Sequence, residues 1–233
     1  MPMDIQVFPD PAGLARGAAD HIERFLSNRA GAATLALAGG NTPAATYEEL
    51  AGRSLDWSDV TLWLGDERWV PHDHPDSNTR MVRELLVDRI LARFFAPETG
   101  FGEPDEAAAA YEATLAPVLQ AAAGSGLVLL GMGDDGHTAS LFPGSAALEI
   151  DRPGYVANWV SAKDTWRLTA TKSLLWQAAE TVFLVQGEAK AAVLAEIIDE
   201  GHPYPAQQVA TGAARVRWLL DAAAASRLRA IPR

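Results

Sequence analysis

Four short apolar runs constrain this chain more than anything else in it: residues 34–38 (TLALA), 60–64 (VTLWL), 127–130 (LVLL) and 181–185 (TVFLV). Each is too short for a typical helix. Each also lacks the apolar–polar alternation of a strand with one wet face. Runs of this kind belong to strands buried on both sides, as in a parallel sheet covered by helices.

The segments between the runs carry the covering helices. Asp10 and Pro11 read as an N-cap followed by proline at the first helical position, ahead of Leu14, Ala18, Ile22, Phe25 and Leu26 at helical spacing. A helix is expected over 43–50, just after Gly39-Gly40. Another is expected after Ser77, with Met81, Val82, Leu85 and Leu86 on one side. Residues 96–104 read as a loop. An alanine-rich helix should cover about 105–123, kinked or divided by Pro117. Further strands are expected at 5–8 and 155–160. Gly187 precedes a helix with Val193, Leu194, Ile197 and Ile198 on one face. The turn HPYPA then leads to a last strand at 216–220 and an alanine-rich final helix. The expected architecture is α/β: a mostly parallel sheet with helices on both faces, in one domain over 1–233.

Composition narrows the function classes. The chain has no cysteine, which excludes a disulfide scaffold, a Cys-ligated metal and a thiol nucleophile, and fits a cytoplasmic protein. No apolar run approaches the ~20 residues of a membrane span, and the N-terminus lacks the regions of a signal peptide. The formal net charge of −11 argues against nucleic acid as a partner. An anionic substrate would need a local cationic pocket in this field. Only three lysines are present: Lys163, Lys172 and Lys190.

Sheets of this class bind ligands beyond the carboxyl ends of their strands, and three loops there hold chemistry-bearing residues. The first is LALAGGNTP, where Gly39, Gly40, Asn41 and Thr42 lie between a strand and a helix. Glycines allow close backbone approach, and free N–H groups at a helix start favour a phosphate. The second is LWLGDERWVPHDHPDSN, where Asp66, Glu67 and Arg68 leave a buried strand. Arg68 is suited to an anion or a developing oxyanion. The spacing of His72, Asp73, His74 and Asp76 fits no standard metal pattern, so no metal is expected. The third is GMGDDGHTASLFPGS, with His137 in a glycine-rich loop beside Asp134 and Asp135. Histidine titrates near neutrality and can take a proton from water. A fourth segment holds Arg167 ahead of a helix and Lys190 in the first turn of the next, where a lysine reinforces a phosphate site. Lys163 and Lys172 read as solvated charges. The pattern G-x-S-x-G is missing, which argues against a serine hydrolase.

Taken together, GGNTP, GDERWVPHDHPDSN, GMGDDGHTASLFPG, the R-x-T of Arg167 to Thr169, GEAKA around Lys190, and the closing PAQQV and VRWLLDAAA resemble the 6-phosphogluconolactonases of the short α/β type, within the glucosamine-6-phosphate isomerase/6-phosphogluconolactonase family. The resemblance covers nearly the whole chain in the right order. It implies a Rossmann-like fold shared with glucosamine-6-phosphate deaminases and ribose-5-phosphate isomerases. It implies hydrolysis of 6-phospho-D-glucono-1,5-lactone to 6-phosphogluconate, the second step of the oxidative pentose phosphate pathway, with no organic cofactor and no essential metal. His137 is then the expected general base, with Arg68 and Asp66 beside it. Asp134, Asp135 or Asp66 orients its ring. Backbone N–H groups near Gly39 and Gly40, or Arg68, receive the oxyanion, and Gly40 to Thr42, Arg167 and Lys190 hold the phosphate. The family more often has serine where this chain has Asn41, whose amide still bonds phosphate.

Two rival readings separate on sequence. Deaminases and isomerases of this fold carry an Asn-Glu-Pro run where this chain has Ser140-Leu141-Phe142-Pro143, and D-E-Y in place of Asp66-Glu67-Arg68. Sugar-phosphate sensors carry a DNA-binding segment, for which no part of this chain is free. A sugar-phosphate lactone is thus the expected partner, with no nucleic acid or membrane, for a monomer or small homo-oligomer.

Overall fold

The computed structural model describes residues 4–100 and 102–229. In chain order the regular elements begin β1 (Asp4–Phe8), α1 (Pro11–Ser27), β2 (Ala33–Leu37), α2 (Asn41–Ala51), β3 (Val60–Leu64), β4 (Asp66–Arg68), α3 (Asn78–Leu85), β5 (Arg93–Phe95) and α4 (Pro104–Ala121). They continue β6 (Gly126–Gly131), β7 (Tyr155–Val160), β8 (Thr165–Ala170), α5 (Lys172–Leu175), β9 (Glu180–Val185), α6 (Ala191–Glu200), α7 (Pro205–Gly212) and β10 (Val216–Asp221).

Seven strands form one parallel sheet in the order β1-β10-β9-β6-β2-β3-β5. The apolar runs supply its middle, and successive residues point to opposite faces. Leu127 and Leu129 pack with Leu14, Ile22 and Leu26 of α1, Tyr47 and Leu50 of α2, and Val82 of α3. Val128 and Leu130 pack on the other side with Tyr111 and Leu115 of α4, Leu194 and Ile197 of α6, and Val209 of α7. A strand between two such layers has no wet face, which explains the missing alternation.

The connections run outward in two directions. From β2 the chain moves through β3 to β5; from β6 it moves through β9 to β10. The reversal lies between the neighbours β2 and β6, where a crevice opens at the carboxyl edge of such sheets.

Several local expectations are corrected. Asp66–Arg68 is a strand of its own; Arg167 lies ahead of a helix, as expected, but within a strand, β8, that the sequence reading did not place. β4, β8 and β7 form a separate antiparallel sheet, with Asp66 opposite Thr169 and Arg68 opposite Arg167. α2 opens at Asn41, two residues before Pro43, whose missing N–H is harmless in a first turn. α4 runs through Pro117 without dividing. HPYPA leads into α7, which precedes β10. Among the described residues the expected final helix is a single 3₁₀ turn, Ala224–Arg227. No helix of the described residues is long and apolar enough to cross a membrane.

Candidate active site

The carboxyl ends of β2 and β6 form the two walls of a cleft of about 330 Å³. Its lining includes Gly39, Gly40, Asn41, Thr42, Asp66, Arg68, His137 and Lys190. A larger hollow of about 500 Å³ lies under α4 and holds none of these groups.

The first wall follows from the glycine pair. Gly40 has φ +92°, which a side chain would resist, and a Cβ at Gly39 would overlap the Asn78 side chain. The turn is pinned by Tyr47, whose hydroxyl donates to Ala38 O (2.8 Å) and accepts from Ala38 N–H (2.9 Å). Burial pushes that hydroxyl's pKa well above its usual range, so it stays neutral. Asn41 and Thr42 then stand in the first turn of α2, where backbone N–H groups lack helical acceptors.

The second wall is the loop after β6. Gly133 N–H donates to His137 O (2.9 Å), and Thr138 Oγ1 donates to Gly131 O (2.7 Å), which closes the loop on itself. Gly133 must be glycine, since a Cβ there would overlap the His137 ring. His137 Nδ1 lies 2.5 Å from Asp135 Oδ1. An ionised carboxylate only accepts, so Nδ1 carries a proton, and in the neutral form of the ring the lone pair is on Nε2. Partial burial raises the Asp135 carboxyl, but its hydrogen bonds with His137 and the ring's charge outweigh this and bring it down to about 2. Phe142 stacks on the imidazole, with ring centroids 4.1 Å apart. Asp135 is therefore the carboxylate on the ring. Asp134 is exposed and lies 3.9 Å from Lys190 Nζ, and Asp66 has another partner, Ser140.

The three residues of β4 do three different things. Asp66 lines the cleft and accepts from Ser140 Oγ at 2.6 Å. Glu67 points away and is fully buried. It accepts from the backbone N–H groups of Arg68, Asn78 and Thr79 and from the hydroxyls of Ser77 and Thr79, so it caps the start of α3. Arg68 lines the cleft, with Nη1 donating to Asp76 O at 2.5 Å.

Arg167 lies directly across from Arg68 on β8 and not in the cleft lining. Its Nε is buried without a partner among the described residues. Burial first, and then the charge of Arg68, lowers its pKa from the ordinary value. Lys190 reaches the cleft from a 3₁₀ turn ahead of α6. Two cations, Arg68 and Lys190, thus line one cleft of an acidic protein, and Arg167 stands beside Arg68 outside the lining. No group of three His, Asp or Glu side chains with metal-holding geometry occurs among the described residues, and His72 contacts Pro97 O instead. The site also uses residues that sequence reasoning passed over: Ser140, Asn78 and Phe142. Asn78 sits in the SN that follows DER, but its contact with Gly39 has no sequence signal.

The family model for glucosamine-6-phosphate isomerases/6-phosphogluconolactonase matches residues 9–218. A 6-phosphogluconolactonase of Synechocystis sp. is 43% identical over 211 residues, covering 85% of this chain and 86% of its own. The solved 6-phosphogluconolactonase of Trypanosoma brucei superimposes with a TM-score of 0.84 at 30% identity, over 97% of this chain and 99% of its own. A monomeric glucosamine-6-phosphate deaminase, 22% identical, shares the fold with a TM-score of 0.82 over 97% of this chain and all of its own.

Proposed function

The chain belongs to the glucosamine-6-phosphate isomerase/6-phosphogluconolactonase family, and from that premise we propose that it hydrolyses 6-phospho-D-glucono-1,5-lactone to 6-phosphogluconate, with His137 as the general base. The observation that carries this reading is the His137–Asp135 pair. It holds a proton on Nδ1, so that the neutral ring would offer its lone pair from Nε2, on a residue that lines the cleft.

A lactone is an internal ester. Water attacks its carbonyl carbon while Nε2 takes the water's proton. The carbonyl oxygen gains a negative charge, for which Arg68 is the donor on the cleft wall, its guanidinium steadied by Asp76 O. As the bond from the carbonyl carbon to the ring oxygen breaks, His137 returns the proton to that oxygen. Asp135 stays ionised and stabilises the transient imidazolium. The phosphate is held by the N–H groups of Asn41 and Thr42 at the start of α2, by Lys190, and by Arg167 beside Arg68. Anchoring this remote group places the carbonyl against the water.

The test is a coupled assay with freshly made lactone, corrected for spontaneous hydrolysis and run beside glucosamine 6-phosphate. His137→Ala should remain folded and lose on the order of 10²-fold or more in turnover. Turnover of the amino sugar alone, or near-wild-type lactonase rates in that variant, would refute the reading.

A further inference from the structure

With Asp135 on the imidazole, Asp66 is released from the ring-orienting role and its carboxylate needs another account. It is nearly buried, at 8% exposure, yet it lines the cleft. Among the described residues, the side-chain hydrogen bond it accepts comes from Ser140, whose Oγ donates to Oδ2 at 2.6 Å. A hydroxyl–carboxylate bond of that length is of the strong, charge-assisted kind.

Ser140 is itself held from both sides. Its N–H donates to Thr169 Oγ1 (3.3 Å), and its carbonyl accepts from Asn158 Nδ2 (2.8 Å). The residue before it, Ala139, has φ +49°, an uncommon conformation for a side-chain-bearing residue. Asp66 is fixed at its other end too, since its carbonyl accepts from Asn78 Nδ2 at 2.8 Å. This much scaffolding is out of proportion to one carboxylate unless its orientation matters.

We propose that Ser140 is a positioning residue for Asp66: by engaging Oδ2 it sets the plane of the carboxylate and leaves Oδ1 as an acceptor for a hydroxyl of the bound sugar. A carboxylate rotates broadly about its last bond, and a tether on one oxygen removes that freedom before the ligand arrives. The inference rests on the lactonase reading, because it takes a polyhydroxylated sugar phosphate as the ligand.

The experiment is calorimetric titration of 6-phosphogluconate into wild type, Ser140→Ala, Asp66→Ala and the double variant, with a thermal melt for each. Ser140→Ala should weaken binding by about tenfold, the usual worth of a hydrogen bond to a charged group. Asp66→Ala should cost at least as much, and the double variant no more than Asp66→Ala alone. A merely structural serine would give multiplying penalties instead; that result, or wild-type affinity in Ser140→Ala, overturns the proposal. If Ser140→Ala melts below the assay temperature, Asp66→Asn decides. Its amide oxygen keeps the Ser140 bond while its NH₂ replaces the acceptor, so affinity should fall, and unchanged affinity overturns the assignment. Failure of the wild type to hydrolyse the lactone would remove the functional reading itself, which separates the two failures.

Discussion

Nδ1 of His137 lies 2.5 Å from Oδ1 of Asp135, two residues earlier in the same glycine-rich loop. The ring and the group that orients it are thus locked by local geometry, with Phe142 stacked on the imidazole. Asp135→Asn keeps the shape but removes the negative charge beside the ring, and its NH₂ can turn to Nδ1 and favour the other tautomer. Turnover should fall on the order of 10²-fold or more, with KM little changed. A variant with kcat within a few-fold of wild type would assign the ring's orientation to another group.

The same pair has a signature in acid. The Asp135 carboxyl lies at about 2 in the folded protein against 3.8 ordinarily. The folded state therefore binds fewer protons than the unfolded state between these values. The resulting stabilisation is complete above the ordinary carboxylate range and fades as pH falls through about 2. The Tm difference between wild type and Asp135→Asn should be full near pH 6 and shrink steadily below about pH 4. Asp135 is half-exposed, so the effect should be modest and reduced by salt. A Tm difference that does not vary with pH would contradict the depressed carboxyl.

Arg68 and Arg167 oppose each other across β4 and β8, and like charges at such positions destabilise an empty sheet. The phosphate proposed to sit beside Arg167 would offset that cost when bound. Arg167→Met keeps the length of the side chain and removes the charge. It should melt at or above wild type in phosphate-free buffer, and gain less Tm on addition of 6-phosphogluconate. A lower ligand-free Tm with an undiminished ligand shift would mean that Arg167 is a structural cation.

Lys190 differs from Arg167 in reaching the cleft directly. Its neighbour Asp134 stands 3.9 Å away and is mostly exposed, so the ammonium is not neutralised by a tight pair. A charge that holds phosphate equally in ground and transition states contributes to KM and not to kcat. Lys190→Ala should therefore raise KM on the order of tenfold and leave kcat within a few-fold. No change in either constant would remove Lys190 from the phosphate site.

What was legible in the sequence divides along a physical line. The central strands were readable because burial on both sides demands unbroken apolar runs, as in Leu127 to Leu130. The walls of the cleft were readable because glycines mark strand ends and His137 stands among them. The small antiparallel sheet was not. β4 is three polar residues long, too short to show a period, and the alternation of Trp166, Leu168 and Ala170 in β8 indicates a strand without naming its partner. Ser140 illustrates the remainder. Its acceptor on Asp66 is 74 residues away, and no local pattern announces a pairing made only by the fold. Which carboxylate orients His137 was equally open in the sequence, because Asp134 and Asp135 differ only in the direction the loop gives them.

Glu67 shows the same limit in a residue whose role turned out to be architectural. In sequence it belongs to an Asp-Glu-Arg cluster at a strand end; in the fold its neighbours face the cleft and it faces the core. It is fully buried and collects five donors, three from the backbone and two from hydroxyls. Two of those backbone donors, Asn78 and Thr79, open α3, so the carboxylate also meets the positive end of the helix. Glu67→Ala strands all five donors in a dry site and should cost about 3 kcal/mol or more in urea denaturation, because each unsatisfied buried donor costs about 1–3 kcal/mol before relaxation. Any fraction that stays folded should keep the His137–Asp135 pair, which shares none of these bonds, and its activity per folded molecule should fall mainly through misplacement of Asp66 and Arg68 on the same strand. A loss of stability below about 1 kcal/mol, typical of a surface change, would show that water enters to replace the carboxylate.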